Sequence, residues 1–437
     1  MQILLGVTIL ALWVVACILL MRGQAMVPVL IGLAVAWALL AGAGDKVLKD
    51  VIEGGILSFA NTTMVIIMGA WLAETLMQTG IAETLIRNAA ELAGDRPMAI
   101  TVAMVLVITF LFTSMYGVGA AVMVGVIALP IMLTMGIPAN VVAPVFTFSI
   151  IAGIQLSLVE WGIFQPLFKI EQGFNTFFTL YVVQLCIWAA MAVVLAFVKI
   201  HLLGAVRTHA VNTTGYGSGT IDDAEGGSAP ARRAPWYALI SPIVPVVAVM
   251  AFKWPLVPAF LAGIVFALLT TIHYRPFRIT VDLFQKALYD GFRSMAPVCA
   301  VWMIIGAIIK ASSLPEVQAP LKALLGGVLP STPWAIAIFL GILAPLAVYR
   351  GPMCLAGVGS ALVPLFLGMK TVSPGFLWGA WKGINYVHGT TDPINSWTLW
   401  TLGYLKITGA SHIKTALPFS WAAAALTAIT AVLMLYR

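Results

Sequence analysis

The chain has 437 residues, of which 61% are apolar and only 9% charged, and its mean hydropathy is +1.03. A water-soluble globule carries nearer a quarter charged residues, so this composition excludes one and describes a polytopic membrane protein. The net charge of +7 does not mark a nucleic-acid partner, because the basic residues punctuate the ends of apolar runs, where they report topology.

In chain order, apolar windows predict spanning helices at 3–21, 25–40 and 56–78, each near the roughly 20 residues that a bilayer core demands. Residues 98–135 carry a glycine-rich break at their midpoint, which predicts a re-entrant hairpin, and 139–164 has the polar, glycine-rich centre of a broken helix. A span at 177–198 follows. The segment 204–235, rich in glycine, serine, asparagine and aspartate, predicts a flexible cytoplasmic linker. Spans at 236–252, 256–273 and 292–310 come next, then a second hairpin at 334–369, a second broken helix at 374–398 and a last span at 414–435. Amphipathic stretches at 81–93 and 317–325 are expected to lie along the interfaces. Cys17, Cys186, Cys299 and Cys354 are scattered singly inside apolar runs, a spacing that fits packing and neither a metal site nor a disulfide framework. Val14-Val15-Ala16-Cys17 reads as part of a retained first helix, since no basic residue precedes the run and Leu19-Leu20-Met21 continue it.

The stretch from Gly54 to about Pro166 returns from Gly291 to about Leu402, shifted by roughly 235 residues, as in transporters built from duplicated halves. Gly54 answers to Gly291, Gly69 to Gly306, Gly117 to Gly351, Pro130 to Pro364, Pro138 to Pro374 and Gly153 to Gly389. With Arg22 cytoplasmic and each hairpin entering and leaving on one side, about 13 basic residues fall inside and about 8 outside, the bias of the positive-inside rule. The crossings between the copies are then odd in number, so the repeat is inverted. The expected fold is an all-α polytopic membrane protein, an inverted-repeat secondary transporter with about ten spanning helices, two re-entrant hairpins, two broken helices and both termini outside the cytoplasm. Its expected organisation is N-terminal helices (1–53), first inverted repeat (54–203), linker (204–235), connecting helical hairpin (236–290) and second inverted repeat (291–437).

Interrupted helices expose backbone N–H and C=O groups at mid-membrane, where they can replace the hydration shell of a solute or ion. Four breaks are expected to converge, at 113–119, 149–160, 349–352 and 385–396. They offer Ser114, Tyr116, Gly117, Tyr349, Arg350, Gly351, Asn385, His388, Thr390, Thr391 and Asn395 as substrate-binding candidates. A run as polar as the last break costs several kcal/mol between apolar flanks unless it faces water, a ligand or other protein groups. The Arg350 guanidinium is a ready bidentate partner for a carboxylate; it could instead cap its own hairpin's carbonyls or pair with Asp392 or Glu160. Lys382 is a weaker version of the same case, or else snorkels to an interface. Asp392, Glu160 and His388 are the coupling-ion candidates, able to load a proton on one side and release it on the other. Glu74 is expected to satisfy a helix–helix contact, and Trp161 and Trp397 to wall the cavity. The chain has no phosphate-binding Gly-x-x-x-x-Gly-Lys, no paired histidines at ligand spacing and no serine–histidine constellation, so no enzyme activity, ATP-driven pumping, cofactor or metal is expected.

The order helix, hairpin, broken helix, together with Phe110-Leu111-Phe112-Thr113-Ser114, Ala128-Leu129-Pro130-Ile131 and the polar run His388 to Trp397, resembles the ion transporter superfamily, which includes gluconate permeases, citrate–metal symporters and C4-dicarboxylate uptake proteins. The resemblance covers nearly the whole chain. It implies proton-coupled uptake of a small organic carboxylate across a bacterial inner membrane, by an elevator-like or alternating-access cycle in a homodimer. The hairpin tips read Ser114-Met115-Tyr116 and Tyr349-Arg350-Gly351 where the sodium-coupled branch has Ser-Asn-Thr, so proton rather than sodium coupling is expected. The alternative on the same fold is a cation–proton antiporter, or a carrier of a cationic or zwitterionic solute, using Glu160 and Asp392.

Overall fold

The computed structural model describes residues 2–202 and 233–436, and every regular element among them is helical. All but the last three residues of the expected linker lie outside the described residues. The first half runs α1 (Gln2–Met21), α2 (Met26–Leu40), α3 (Gly44–Gln78), α4 (Ile81–Ala93), α5 (Pro97–Phe112), α6 (Val118–Thr134), α7 (Ala139–Ile154), α8 (Leu158–Phe168) and α9 (Phe174–Phe197). The second runs α10 (Trp236–Phe252), α11 (Leu256–Thr271), α12 (Phe277–Ser313), α13 (Pro315–Leu325), α14 (Pro333–Leu343), α15 (Val363–Met369), α16 (Pro374–Thr391), α17 (Ser396–Leu405) and α18 (Gly409–Leu435). Among the described residues six helical segments are long and apolar enough to cross a bilayer, and α7 with α8, bent by 66°, makes a seventh.

A continuous helix of 37 residues, α12, runs across the expected boundary at residue 290, and its second half is the predicted span 292–310. A second long helix, α3, has 35 residues. Two helices, α1 and α2, precede α3, as α10 and α11 precede α12. Packing is exchanged between these pairs: α2 lies on α12 and α11 on α3, while α1 lies on α13 and α10 on α4.

The two long helices meet through glycine. A Cβ on Gly55 would stand 2.5 Å from the Ala307 Cα, one on Gly306 would stand 2.1 Å from the Gly55 carbonyl oxygen, and one on Gly291 would stand 2.9 Å from the Trp71 nitrogen. The start of α3 therefore touches the end of α12, and the end of α3 the start of α12, so the helices run antiparallel. Shifting by the repeat turns the pair Gly55 and Gly306 into Phe292 and Gly69, each one residue from the second contact, Gly291 against Ala70 and Trp71. Antiparallel packing of the two long helices is the relation that an inverted repeat requires.

Each half then breaks its next spans, and the copies differ. In the first hairpin α5 and α6 are joined by the turn 113–117. In the second, α14 tightens into a 3₁₀ turn (Ala344–Arg350) that kinks at Val348 and Tyr349, and the chain returns through an irregular stretch before α15. Pro345 and Pro352 deny this segment two backbone donors, which a regular helix would need. The breaks in the long helices are also shorter than predicted. The first occupies 155–157, where the Ser157 side chain accepts from the Val159 N–H and starts α8. The second occupies 392–395, because Asn385 to Thr391 remain helical; Pro393 disfavours helix at Asp392, and Asn395 caps α17 by accepting from the Trp397 N–H.

Candidate functional site

The four breaks surround one cavity of about 140 Å³. The first hairpin contributes Tyr116, Gly117 and Val118, α8 contributes Glu160 and Phe164, and the second hairpin contributes Arg350 and Ala356. Asn385, Tyr386 and His388 come from α16, and Asn395, Ser396 and Trp397 from the start of α17. A fifth wall is Pro297, Val298, Val301 and Trp302 of α12. The sequence reading missed it, since apolar residues in an apolar span carry no distinguishing mark; only Pro297, inside a long helix, hinted at a special position.

The second hairpin has little regular structure of its own, and α16 holds its backbone. Asp392 accepts from the Arg350 N–H at 3.0 Å and from its neighbour Ile394 N–H at 3.0 Å, Asn385 accepts from the Leu355 N–H at 2.9 Å, and the Trp381 ring N–H donates to the Met353 carbonyl at 3.0 Å. These bonds satisfy backbone groups that lipid could not. They also hold Tyr349 and Arg350 at φ of 57° and 55°, a left-handed pair that side chains seldom adopt.

That backbone turns the Arg350 side chain into the cavity wall. Nη1 donates to the Ala356 carbonyl at 3.0 Å, and among the described residues no carboxylate oxygen lies within 4.0 Å of the guanidinium. Of the alternatives set out for Arg350, it caps its own hairpin with one nitrogen and forms no ion pair with Asp392 or Glu160. The N-terminal end of α17 faces the same cavity with Asn395 and Ser396, and a helix N-terminus favours negative charge.

Across the cavity, Glu160 sits in the first turn of α8 with its Oε1 accepting from the Tyr116 hydroxyl at 3.1 Å. Its Oε2 is buried with no hydrogen-bond partner among the described residues; Tyr386 turns its hydroxyl toward this carboxylate without closing a bond. Gly117, at φ 103°, lets the hairpin turn against Met295, whose methyl carbon would stand 2.2 Å from a Cβ there.

The structure therefore gathers Tyr116, Gly117, Glu160, Arg350, Asn385, His388 and Asn395 at the cavity and leaves the other candidates outside its lining. Ser114 is buried in the first turn, Tyr349 and Gly351 shape the second, and Asp392 clamps it. Thr390 presents its carbonyl to Thr147 and His412, and Thr391 bonds Ser420, so both face the surrounding helices. Among the tryptophans, Trp397 walls the cavity, whereas Trp161 packs among Phe174, Phe177 and Tyr181. Lys382 does not snorkel: it is 2% exposed, and its ammonium donates to the Gln155 carbonyl in the first break. Glu74 is buried and accepts from Gln78 one turn along its own helix, and it is Gln78 that reaches Asp290 of α12.

No protein-family model matches the chain, and no curated protein matches it. Among solved structures, the fold is similar to that of the Alcanivorax borkumensis YdaH transporter, whose crystal structure is described as revealing an unusual topology. The TM-score is 0.60 over 98% of this chain and 98% of that one, at 14% sequence identity. At that identity the likeness shows a shared fold alone, and the ion transporter superfamily resemblance acquires no match of its own.

Proposed function

We propose that the protein is a secondary transporter for a small organic anion, working by alternating access and coupled to protons, with about ten crossings and two re-entrant hairpins. The observation that carries this reading is the Arg350 guanidinium in the cavity wall with no carboxylate within 4.0 Å among the described residues. A cation placed opposite a helix N-terminus and beside amide and imidazole donors suits a carboxylate. Phe164, Val301, Trp302 and Trp397 suit the apolar part of the same solute. The similar fold of YdaH, described as a transporter, supports the transport half of the reading. An inner-membrane location and a homodimer follow from the resemblance in sequence and belong to this proposal.

One observation favours a second reading. The unpartnered Glu160 oxygen in the cavity suits a cationic or zwitterionic solute. Melting the purified protein against gluconate, citrate, succinate, benzoate, putrescine, choline and guanidinium separates the two, since a ligand at 100 times its Kd stabilises the state it binds by about 2.7 kcal/mol. We expect a carboxylate to raise the melting temperature of the native protein and to do nothing for Arg350→Ala. Stabilisation by cations alone, lost in Glu160→Gln, overturns the anion reading.

A further inference from the structure

Lys382 is the least expected charged group in the protein. It projects from the middle of α16, a helix buried from Gly375 to Thr391, and it does not line the cavity. Its ammonium donates to the Gln155 carbonyl at the break between α7 and α8. It also stands 3.5 Å from the centre of the Tyr181 ring and 5.7 Å from that of Trp378. Both side-chain amide atoms of Gln155 are buried without a partner, as is Oε2 of Glu160, three residues beyond Ser157 on the far side of the break. Gln155 is 1% exposed and Glu160 4%.

Such a site has the composition of a cation site. It offers a carbonyl freed by a helix break, an uncommitted amide oxygen on the same residue, an uncommitted carboxylate oxygen nearby and the face of an aromatic ring. Discontinuous helices use freed carbonyls of this kind to coordinate coupling ions. In this chain the cation arrives on a side chain.

We propose that Lys382 is a tethered cation at the break of the first broken helix, seated where an inorganic coupling ion would otherwise bind, and that it is the proton carrier of the transport cycle. Both protonation states have a place there. The ammonium has the carbonyl, the ring and the Glu160 charge, while a neutral amine keeps the single carbonyl bond. The titratable groups around it are Glu160 from α8, Tyr181 from α9 and Tyr386 from its own helix. His412 of α18 is committed to the Thr390 carbonyl, and Arg350 of the second hairpin to Ala356. Because Glu160 lines the cavity from the first turn beyond the break and interacts electrostatically with Lys382, loss of the Lys382 charge changes the field at the solute site, which links the proton to the load. The carrier half rests on the transport reading; the cation-site half does not.

The test needs no identified solute. The purified full-length protein is melted in sodium chloride or choline chloride at equal ionic strength, as the native chain, Lys382→Ala, Lys382→Met and the double variant Lys382→Ala with Glu160→Gln. We expect the native protein to be indifferent to sodium and Lys382→Ala to show a saturable upward shift. Lys382→Met, which fills the space with an apolar chain, and the double variant should show none. If Lys382→Ala folds only poorly, recovery of monodisperse protein in sodium but not in choline is the same positive result. An unresponsive Lys382→Ala, or a native protein equally responsive to sodium, overturns the cation site. For the carrier half, the melting temperatures of native and Lys382→Met protein are compared from pH 5.5 to 8.5. A difference that changes with pH is expected, and a constant difference means a charge that never leaves. A sodium shift alongside a panel in which no carboxylate binds would keep the cation site and discard the anion reading, so the two failures are distinguishable.

Discussion

Asp392 shows how a residue's chemistry follows from what it already holds. As an acidic residue in the most polar break of the chain it invites a coupling role, yet its two oxygens accept backbone N–H groups of Arg350 and Ile394, and it stands outside the cavity lining. Its charge is spent on fixing the left-handed backbone that aims Arg350. We expect Asp392→Ala to lower the melting temperature, because each buried N–H left without an acceptor costs roughly 1–3 kcal/mol. Asp392→Asn, which keeps one acceptor oxygen, should fall between that variant and the native protein. An alanine variant as stable as the native chain would remove the clamp from the account. The residue types of the site were legible in the sequence, because polar groups inside apolar flanks stand out. Their division into lining and clamping groups was not, because it depends on which way each side chain leaves α16.

Among the elements, the crossing of α3 and α12 sets the relation between the halves. The glycines at its contacts let the backbones meet closer than any side chain permits, and overpacking a tight contact typically costs 1–3 kcal/mol. Gly306→Leu is therefore expected to reduce the yield of monodisperse protein or its melting temperature. Gly403→Ala, where a Cβ meets nothing within 4 Å, should change neither. Equal behaviour of the two variants, measured by size-exclusion profile and thermal melt, would count against the crossing. Of the paired glycines, Gly291 and Gly306 lie at these contacts, whereas Gly54 meets only the Lys49 carbonyl and Gly69 faces Val159 and Tyr116, so the sequence marked the α12 side of the crossing and not the α3 side. The outer helices α1, α2, α10 and α11 carry no such shared punctuation, so their exchanged packing, α2 on α12 and α11 on α3, was not legible in the sequence. The irregular return of the second hairpin was hidden for a related reason. Its path is dictated by Asp392, Asn385 and Trp381, which lie 28 to 42 residues away in sequence and touch it only once α16 is in place.

At the scale of the whole molecule, the antiparallel α3 and α12 require every repeat-equivalent loop to lie on opposite faces of the membrane. The loop between α4 and α5 contains Asp95, and the loop between α13 and α14 contains Ser331; both residues are exposed. With Arg96 on the cytoplasmic side by the charge bias, Asp95 is inside and Ser331 outside. Single cysteines at these positions test the prediction directly, in a background where Cys186, an exposed cysteine, is replaced by serine while Cys17, Cys299 and Cys354 stay buried. In intact cells an impermeant maleimide should label Ser331→Cys at once and Asp95→Cys only after permeabilisation. Labelling of both from the same side would break the inverted relation, and with it the reason the four breaks can share one cavity. A parallel repeat would set the N-terminal ends of α8 and α17 toward the same face of the membrane. An inverted one sets them toward opposite faces, and in this chain Glu160 at the start of α8 and Asn395 at the start of α17 line one cavity.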